Sequence, residues 1–245
     1  MVRFFVERKD IIDGAVQISG EDLEHIRVVR LRPDELFAVC DGEGNDYICR
    51  LGAHGLAGRG EGVAEIVETR PSKGEPTIGC SVYVAYAKGD RLEYAVQKSV
   101  ELGAREIVLF PSERCVSIPS DMTKKIVRFQ RIATEAAKQS GRGYIPRVIP
   151  LNSFRHAIEE AAQFRLSLFL YECEEKLHLK QALDQSMDTK TVSIVTGPEG
   201  GFEPHEAEFA KSAGMTTVTL GPRILRCETA PIAALTAVMY HTGNM

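Results

Sequence analysis

The chain of 245 residues is long enough for one large domain or two modest ones, and its 44% hydrophobic and 26% charged residues are ordinary for a globular protein. Its apolar runs fall short of the roughly 20 residues that span a bilayer. Charge also interrupts the first residues, where a signal peptide needs an apolar core, so a cytoplasmic location is expected.

Residues 1–70 are expected to form a small β domain. Short runs with strand character alternate with glycines, and one helical segment interrupts them at residues 22–31. Glycines at this density supply the turns of a small barrel rather than the ends of long helices. The strands are predicted at residues 3–6, 15–18, 35–40, 47–51 and 63–68, with glycines at 42, 44, 52, 55, 58, 60 and 62 between or beside them.

Residues 71–76 are polar, with two prolines and one glycine, and are predicted to link two domains. From residue 77 to residue 245, apolar runs of strand type alternate with helical patterns, which favours a mainly parallel sheet covered on both faces. The strands are predicted at residues 78–87, 106–110, 166–170, 192–195 and 216–220, and the helices at 90–102, 121–139, 156–162 and 204–213.

The basic residues are distributed unevenly. The net charge of −4 does not favour a nucleic-acid partner, but such binding depends on local charge. Residues 120–150 carry seven Lys or Arg against two acidic residues, which is typical either of a solvated helix face or of an RNA-binding face. The N-terminal arginines Arg3, Arg8, Arg27 and Arg30 could likewise form a patch that faces RNA or be unrelated surface groups.

The last helix, which opens at Pro231, is apolar nearly all round as far as Tyr240. No Lys or Arg occurs after Arg226. A helix that is apolar on every side is buried either inside its own domain or against a partner. Composition alone leaves both alternatives open.

Two glycine-anchored loops carry the strongest functional signal: Thr196–Phe202 (TGPEGGF) and Leu220–Ala230 (LGPRILRCETA). Each follows a β-branched run and leads into a helical pattern. Glycine after a strand permits positive φ and lets a ligand approach the bare backbone. The two loops therefore predict one small-molecule pocket at the C-terminal edge of the parallel sheet.

The ligand of this pocket is not expected to be a phosphate. Neither loop has the spacing of a phosphate-binding glycine motif. The helix after the first loop begins with Glu203 and Pro204, with Glu206 close behind, and these acidic side chains already offset the helix dipole. A neutral or cationic ligand fits better, such as a sulfonium cofactor.

The two loops, taken with three upstream motifs, closely resemble the RsmE family of SPOUT methyltransferases. The upstream motifs are Lys88-Gly-Asp-Arg91, Gln97-Lys98 with Glu101-Leu-Gly103, and Glu135-Ala-Ala-Lys-Gln-Ser-Gly-Arg142. The resemblance covers nearly the whole chain. It implies a PUA-like or OB-like RNA-binding barrel at 1–70 and an α/β SPOUT domain at 77–245 with a C-terminal trefoil knot. It also implies a homodimer that packs through the final helix.

The activity implied by the resemblance is methylation of N3 of a uridine in 16S ribosomal RNA of the small subunit, with S-adenosylmethionine as methyl donor. Three strand ends are expected to hold this cofactor. The first segment is Leu170, Tyr171 and Glu172, and the second is Thr196, Gly197, Pro198, Glu199, Gly200 and Gly201. In the third, Leu220, Gly221, Ile224 and Leu225, apolar groups and backbone amides are expected to enclose the adenine.

For the RNA, the motif match adds Lys98, Gln139 and Arg142. Arg142 lies between two glycines after a helix, and we expect it at a mobile position suited to gripping a phosphate.

For catalysis, Arg226 is expected to stabilise a uracil anion at O2 or O4. Glu199 could favour the sulfonium, or accept the N3 proton if burial raises its pKa. Glu228 could do either, or it could cap the last helix and pair with Arg223 or Arg226. His178 and His205 are weaker candidates for the base.

Two other functions remain open: ribose 2′-O-methylation and a non-catalytic RNA-binding assembly factor with a vestigial pocket. An active site shared across a dimer is a further hypothesis. Metal catalysis is not expected, because the six His and six Cys never cluster at ligand spacing. The cysteines are expected to be small apolar filler, Cys227 included.

Overall fold

The computed structural model describes residues 3–32, 35–51, 61–116, 118, 122–186 and 188–245. The chain divides into two compact units. The first takes residues 1–75 and 137–145, and the second takes 76–136 and 146–245. Some predictions lie outside the described residues: the turns at glycines 52, 55, 58 and 60, and the first residue of the helix predicted from residue 121.

The first unit is built on a β-sheet whose order is β1-β4-β5-β6-β3-β2. All its described strand pairs are antiparallel except β1 with β4. The elements are β1 Arg3–Phe5, β2 Ile11–Ile12, β3 Ala15–Ser19, α1 Gly20–Val29, β4 Leu36–Cys40, β5 Asn45–Leu51 and β6 Glu61–Pro71, with a short 3₁₀ turn at Arg8–Asp10. The small β domain predicted for this region is therefore confirmed.

The core of this unit follows from alternation along the strands. In β3 the side chains of Val16 and Ile18 are buried and alternate with half-buried or exposed neighbours, as the two-residue period of a strand requires. Phe4 and Phe37 meet edge to face with ring centroids 5.7 Å apart. Ile26 of α1 is fully buried against the same cluster, which is why the helix covers this sheet.

The second unit is a parallel sheet in the order β12-β10-β11-β7-β8-β9. Its strands are β7 Gly79–Ala85, β8 Glu106–Phe110, β9 Arg147–Pro150, β10 Leu166–Leu170, β11 Thr191–Thr196 and β12 Thr216–Val218. Its helices are α2 Arg91–Glu101, α3 Met122–Ser140, whose last residues belong to the first unit, α4 Phe154–Ala161, α5 Leu179–Asp184, α6 Pro204–Ser212 and α7 Thr229–His241. The predicted mainly parallel α/β sheet is confirmed.

The last helix settles part of the question that its composition left open. Along α7, Pro231, Ala234, Leu235, Val238 and Met239 are buried, and the helix packs on α2, α5, β7 and β11. The opposite face runs through residues 232, 233, 236 and 237 to Tyr240, which is 77% exposed. One apolar face is thus buried in the helix's own unit, and the other is only partly covered by the described residues. The knot and the homodimer remain predictions.

Residues 137–145 are held to the first unit through Glu75. The Glu75 carboxylate accepts hydrogen bonds from the Arg142 guanidinium at 2.7 Å and from the backbone N–H groups of Gly143 at 3.0 Å and Tyr144 at 3.1 Å. Gly143 packs so closely on Ser72 that any Cβ there would overlap the Ser72 side chain. This segment is therefore a structural part of the β unit, although it lies far from it in sequence.

Among the described helices, none combines the length and the apolar character needed to cross a membrane.

Candidate cofactor site and active site

A cavity of about 970 Å³ opens at the C-terminal ends of β10, β11 and β12. These three strands are adjacent in the sheet, so the segments that follow them meet at one edge, where open parallel sheets commonly bind ligands. The cavity is lined by all three segments predicted to hold a cofactor: residues 170–172, 196–201 and 220–225. They lie up to 55 residues apart in the chain, and the sheet order brings them together.

The first glycine loop needs its glycines because other groups approach the backbone closely. Gly201 has φ of +69°, and its N–H donates to the carbonyl of Pro198 at 3.0 Å in a tight turn. A Cβ at Gly201 would overlap the carboxylate of Glu172, and one at Gly197 would lie 3.2 Å from the ring of Phe202. Glycine is therefore required at both positions by the close packing of Glu172 and Phe202 on the loop.

The second loop is anchored at Gly221, which has φ of +111°. Its N–H donates to the Thr219 hydroxyl at 3.2 Å. Beyond it, the side chain of Leu225 is partly buried, whereas that of Ile224 is 88% exposed. Ile224 lines the cavity with its side chain on the solvent side, and its predicted contact with an adenine stays a prediction.

The charges around the cavity favour a cation. Five carboxylates line it against three arginines and one histidine: Glu172, Glu174, Glu175, Glu199 and Glu228 against Arg91, Arg223, Arg226 and His178. A phosphate would be repelled by this excess, whereas a positively charged sulfonium would be attracted. The acid-flanked start of α6 adds to the same preference, since Glu203 and Glu206 form a capping box there.

Glu199 joins the first glycine loop to residues 88–91 by hydrogen bonds. Its carboxylate Oε1 accepts the backbone N–H of Lys88 at 2.8 Å and a hydrogen bond from the Arg91 guanidinium. Burial raises the pKa of Glu199, but the Lys88 and Arg91 hydrogen bonds outweigh burial and hold the pKa below its ordinary value. Glu199 would need a raised pKa to act as the general base. The expectation that it accepts the N3 proton is therefore corrected.

Glu228 shares Arg91 with Glu199. The Nε atom of Arg91 lies 3.7 Å from Glu228 Oε2, so the ion-pair partner is Arg91 rather than the expected Arg223 or Arg226. Glu228 occupies the N-cap position of α7, but its side chain makes no capping hydrogen bond there. The role of Arg91 was missed by the sequence reasoning, although the residue belongs to the quoted Lys88–Arg91 motif.

Cys227, beside Glu228, is not a nucleophile at neutral pH. Burial, together with a hydrogen bond from its thiol to Glu228 at 3.3 Å, raises the pKa of Cys227 to about 12. The other buried thiols, Cys40, Cys49 and Cys80, also have raised pKa values because of burial. Packing was the expected role of Cys227, and its burial agrees with it.

Two arginines at the cavity point into solvent. Arg223 and Arg226 are exposed, and no hydrogen bond or ion pair joins their guanidinium groups to the part of the chain that the structure describes. Arg226 thus has the accessible positive charge that its predicted catalytic role requires. His178 also lines the cavity, whereas His205 lies elsewhere and faces Glu113 at 3.0 Å, which removes it as a candidate base.

Two of the residues predicted to bind RNA are paired with carboxylates of the protein itself. Arg142 is only 3% exposed and its guanidinium binds Glu75, so the expected mobile, accessible position is wrong. Arg3 makes two hydrogen bonds to the buried carboxylate of Asp46, at 2.8 and 3.1 Å. Removing either carboxylate would strand a buried or half-buried guanidinium.

The other predicted RNA ligands lie nearer the surface. Arg8 pairs with Glu43 at 3.2 Å, Arg27 with Glu24 at 2.7 Å and Lys98 with Glu101 at 2.8 Å. The Arg8 pair is exposed on both sides, whereas Arg27 and Lys98 are partly buried, and surface pairs of this kind are weak enough to exchange an acidic partner for a phosphate. Gln139 and Arg30 are exposed as well, and their contact with RNA stays a prediction.

No group of three or more His, Cys, Asp or Glu side chains able to hold a metal ion occurs within the described residues.

Comparison with known proteins agrees with this geometry. The family model for an RNA methyltransferase domain matches residues 75–239, and the model for an RNA methyltransferase PUA domain matches residues 18–55. The fold and the site therefore define the chain as a member of the RNA methyltransferases.

The relatives narrow this class. The ribosomal RNA small subunit methyltransferase E of Bacillus subtilis is 33% identical and the alignment covers 99% of this chain and 97% of that protein. The protein of the same name from Mesomycoplasma hyopneumoniae is 32% identical over 96% and 98%. The chain belongs to the ribosomal RNA small subunit methyltransferase E family, and the resemblance found in the sequence is confirmed.

A solved structure carries the same name. The crystal structure of a ribosomal RNA small subunit methyltransferase E from Neisseria gonorrhoeae, bound to S-adenosyl methionine, superposes with a TM-score of 0.83 at 31% identity. The match covers 98% of this chain and 97% of that one. The predicted SPOUT-type fold class is therefore confirmed at the level of sheet and domains.

Proposed function

We propose that this protein transfers the methyl group of S-adenosylmethionine to N3 of a uridine in 16S ribosomal RNA of the small ribosomal subunit. The observation that carries the proposal is the acidic cavity at three adjacent strand ends, in a chain whose relatives are ribosomal RNA small subunit methyltransferases. The N3 position rests on the motif resemblance and on the chemistry of the cavity.

The cavity suits the cofactor in its position at the sheet edge and in its charge. Bare backbone at Gly197, Gly200 and Gly201 would hold its methionine or ribose side, and the backbone of residues 220–225 with the partly buried Leu225 would hold the adenine. The excess of carboxylates would stabilise its positive charge. Once bound, the cofactor would supply an activated methyl group, so the protein has to provide alignment and electrostatics.

The uracil imposes the second requirement. Its N3 carries a proton at neutral pH. That N–H bond has to break as the new N–C bond forms, because N3 needs a free electron pair to accept the methyl group. Arg226, exposed beside the cavity, would stabilise the negative charge that develops on O2 or O4. Of the two carboxylates that share Arg91, Glu228 is held by fewer strong contacts than Glu199. We assign Glu228 as acceptor of the N3 proton.

The test is to incubate the protein with labelled S-adenosylmethionine and small-subunit RNA or particles, and to map the product by mass spectrometry. A methyl group on a uracil base at N3 is the expected result. Label in a linkage resistant to alkali would establish ribose 2′-O-methylation instead. RNA binding without any transfer, and without a thermal shift on adding S-adenosylmethionine, would establish the non-catalytic factor.

The predicted homodimer has a specific surface in this proposal. The outer face of α7 is apolar and ends at the exposed Tyr240. A Tyr240→Glu variant should be monomeric in sedimentation experiments, whereas a wild-type protein that is itself monomeric would refute the dimer.

Site sharing predicts that mixing Arg226→Ala and Arg30→Ala chains restores part of the activity.

The predicted cytoplasmic location follows from the proposed substrate, since ribosomal subunits are assembled there.

A further inference from the structure

Ile224 is the most exposed large apolar side chain among the described residues, at 88%. It lies in the second glycine loop, between Arg223 and Arg226, which are exposed as well. The three side chains project from the lip of the acidic cavity, where neither arginine is paired with the described part of the chain. An apolar group between two available cations is a combination that suits a nucleic acid and not the cationic cofactor.

The loop is anchored at both ends, so the exposure of Ile224 is built into the fold. At the start, the Gly221 N–H binds the Thr219 hydroxyl at 3.2 Å, and Pro222 restricts the next backbone torsion. At the end, the carbonyl of Arg226 accepts the N–H groups of Thr229 at 2.8 Å and Ala230 at 2.9 Å, which joins the loop to α7. The two ends of the loop are therefore held by hydrogen bonds, and Ile224 lies between them.

We propose that Ile224 is a wedge that displaces the target base of the RNA. This inference rests on the proposed function, because N3 of a uridine is hidden by pairing and stacking until the nucleotide is turned out of its helix. Apolar side chains inserted between bases unstack them, and flanking cations hold the phosphates. Ile224 takes the stacking position that the uridine leaves, Arg223 binds a neighbouring phosphate, and Arg226 meets the uracil oxygens.

The wedge role and the predicted adenine-binding role of Ile224 differ in what the side chain touches. A wedge contacts RNA and leaves the cofactor site unchanged. A wall of the cofactor site contacts the adenine and leaves the RNA unchanged. The two roles are therefore separable by measuring cofactor binding and base unstacking independently of methyl transfer.

The test uses Ile224→Ala, the conservative Ile224→Leu, and Ile12→Ala as a control at a half-exposed isoleucine of the first unit. The fluorescent base 2-aminopurine is placed beside the target uridine, in the small-subunit RNA or particle that the wild-type protein binds. Base unstacking is followed by its fluorescence, and S-adenosylmethionine affinity by calorimetry without RNA.

Ile224→Ala should weaken the unstacking equilibrium at least about tenfold, because alanine lacks the carbons that replace the stacked base. Ile224→Leu should retain most of the signal, Ile12→Ala should equal wild type, and cofactor affinity should change in none of them. Unchanged unstacking in Ile224→Ala overturns the wedge, as does a loss of cofactor affinity or of the dimer in that variant. Unstacking by wild-type protein that transfers no methyl group would refute the proposed function alone.

Discussion

Replacing Glu199 distinguishes a residue that positions the cofactor loops from a catalytic base. The carboxylate accepts the Lys88 N–H at 2.8 Å and a hydrogen bond from Arg91, and these contacts join the segments that follow β7 and β11. A hydrogen bond to a charged group contributes about 1.5–3 kcal/mol. The Arg91 pair adds little, because its guanidinium is 38% exposed and is screened by solvent.

Glu199→Ala should therefore lower the free energy of unfolding by about 1.5–3 kcal/mol. At roughly 2–4 °C per kcal/mol for a chain of this size, the melting temperature should fall by about 3–12 °C. Glu199→Gln keeps an oxygen for the Lys88 N–H and should lose about half as much. Both variants should bind S-adenosylmethionine more weakly, because the loop 197–201 is no longer fixed.

The pH dependence gives a second check. The pKa of Glu199 is lowered from its usual 4.5, so its contribution to stability is complete above pH 4.5 and is lost as the pH falls through the lowered value. The difference in melting temperature between wild type and Glu199→Gln should therefore shrink only in acid. Glu175→Gln is the matched control, since this exposed carboxylate lines the same cavity.

One result would refute the positioning role. If Glu199→Gln kept the wild-type melting temperature and cofactor affinity but lost more than about 100-fold in kcat, the carboxylate would act on the reacting atoms. Loss of the acidic limb of the pH–rate profile in that variant would support the same conclusion.

Three further predictions concern other side chains. Arg226→Ala should lower kcat by about 100- to 1,000-fold with little change in cofactor affinity, measured by single-turnover kinetics and calorimetry. Arg142→Ala should lower the free energy of unfolding by about 3–5 kcal/mol in urea titrations, because it leaves the Glu75 carboxylate without its cation. Iodoacetamide at pH 8 should label the exposed Cys173 well before Cys227, whose pKa is about 12.

Each of these has an outcome that contradicts it. Parallel losses of kcat and of cofactor affinity in Arg226→Ala would place that guanidinium at the cofactor instead. An Arg142→Ala protein with wild-type stability and weakened RNA binding would restore the role that the sequence suggested. Equal labelling of the two cysteines, followed by peptide mass spectrometry, would show that Cys227 is not buried in solution.

Local sequence patterns predicted a strand correctly where its burial follows from its own residues. The predicted strands at 106–110 and 166–170 coincide with β8 and β10, because an apolar run buried on both faces is a property of the run itself. β9 and α5 were missed for the converse reason. β9 is four residues long and ends in a proline, and α5 has six residues, too few for a helical period to show.

The glycine loops were likewise visible in the sequence, since a glycine after a strand has a local meaning. Their charge partners were not. Glu199 meets Arg91 across 108 residues, and Arg142 meets Glu75 across 67, and nothing near either residue in sequence specifies the pairing. An isolated glutamate suggests a base, and an arginine between glycines suggests a phosphate ligand, until the fold supplies the partner.

The sequence by itself determined the family, through its motifs, and the parallel sheet with a cavity at one edge, through its periodicity and the glycines at strand ends. Only the tertiary structure decided what each charged or apolar side chain near that edge faces. It showed that Glu199 is paired with Arg91 and Arg142 with Glu75. It also placed Arg91 at the cavity and showed that the side chain of Ile224 is exposed to solvent. The physical reason is that pairing and exposure depend on which distant segments the sheet order makes neighbours.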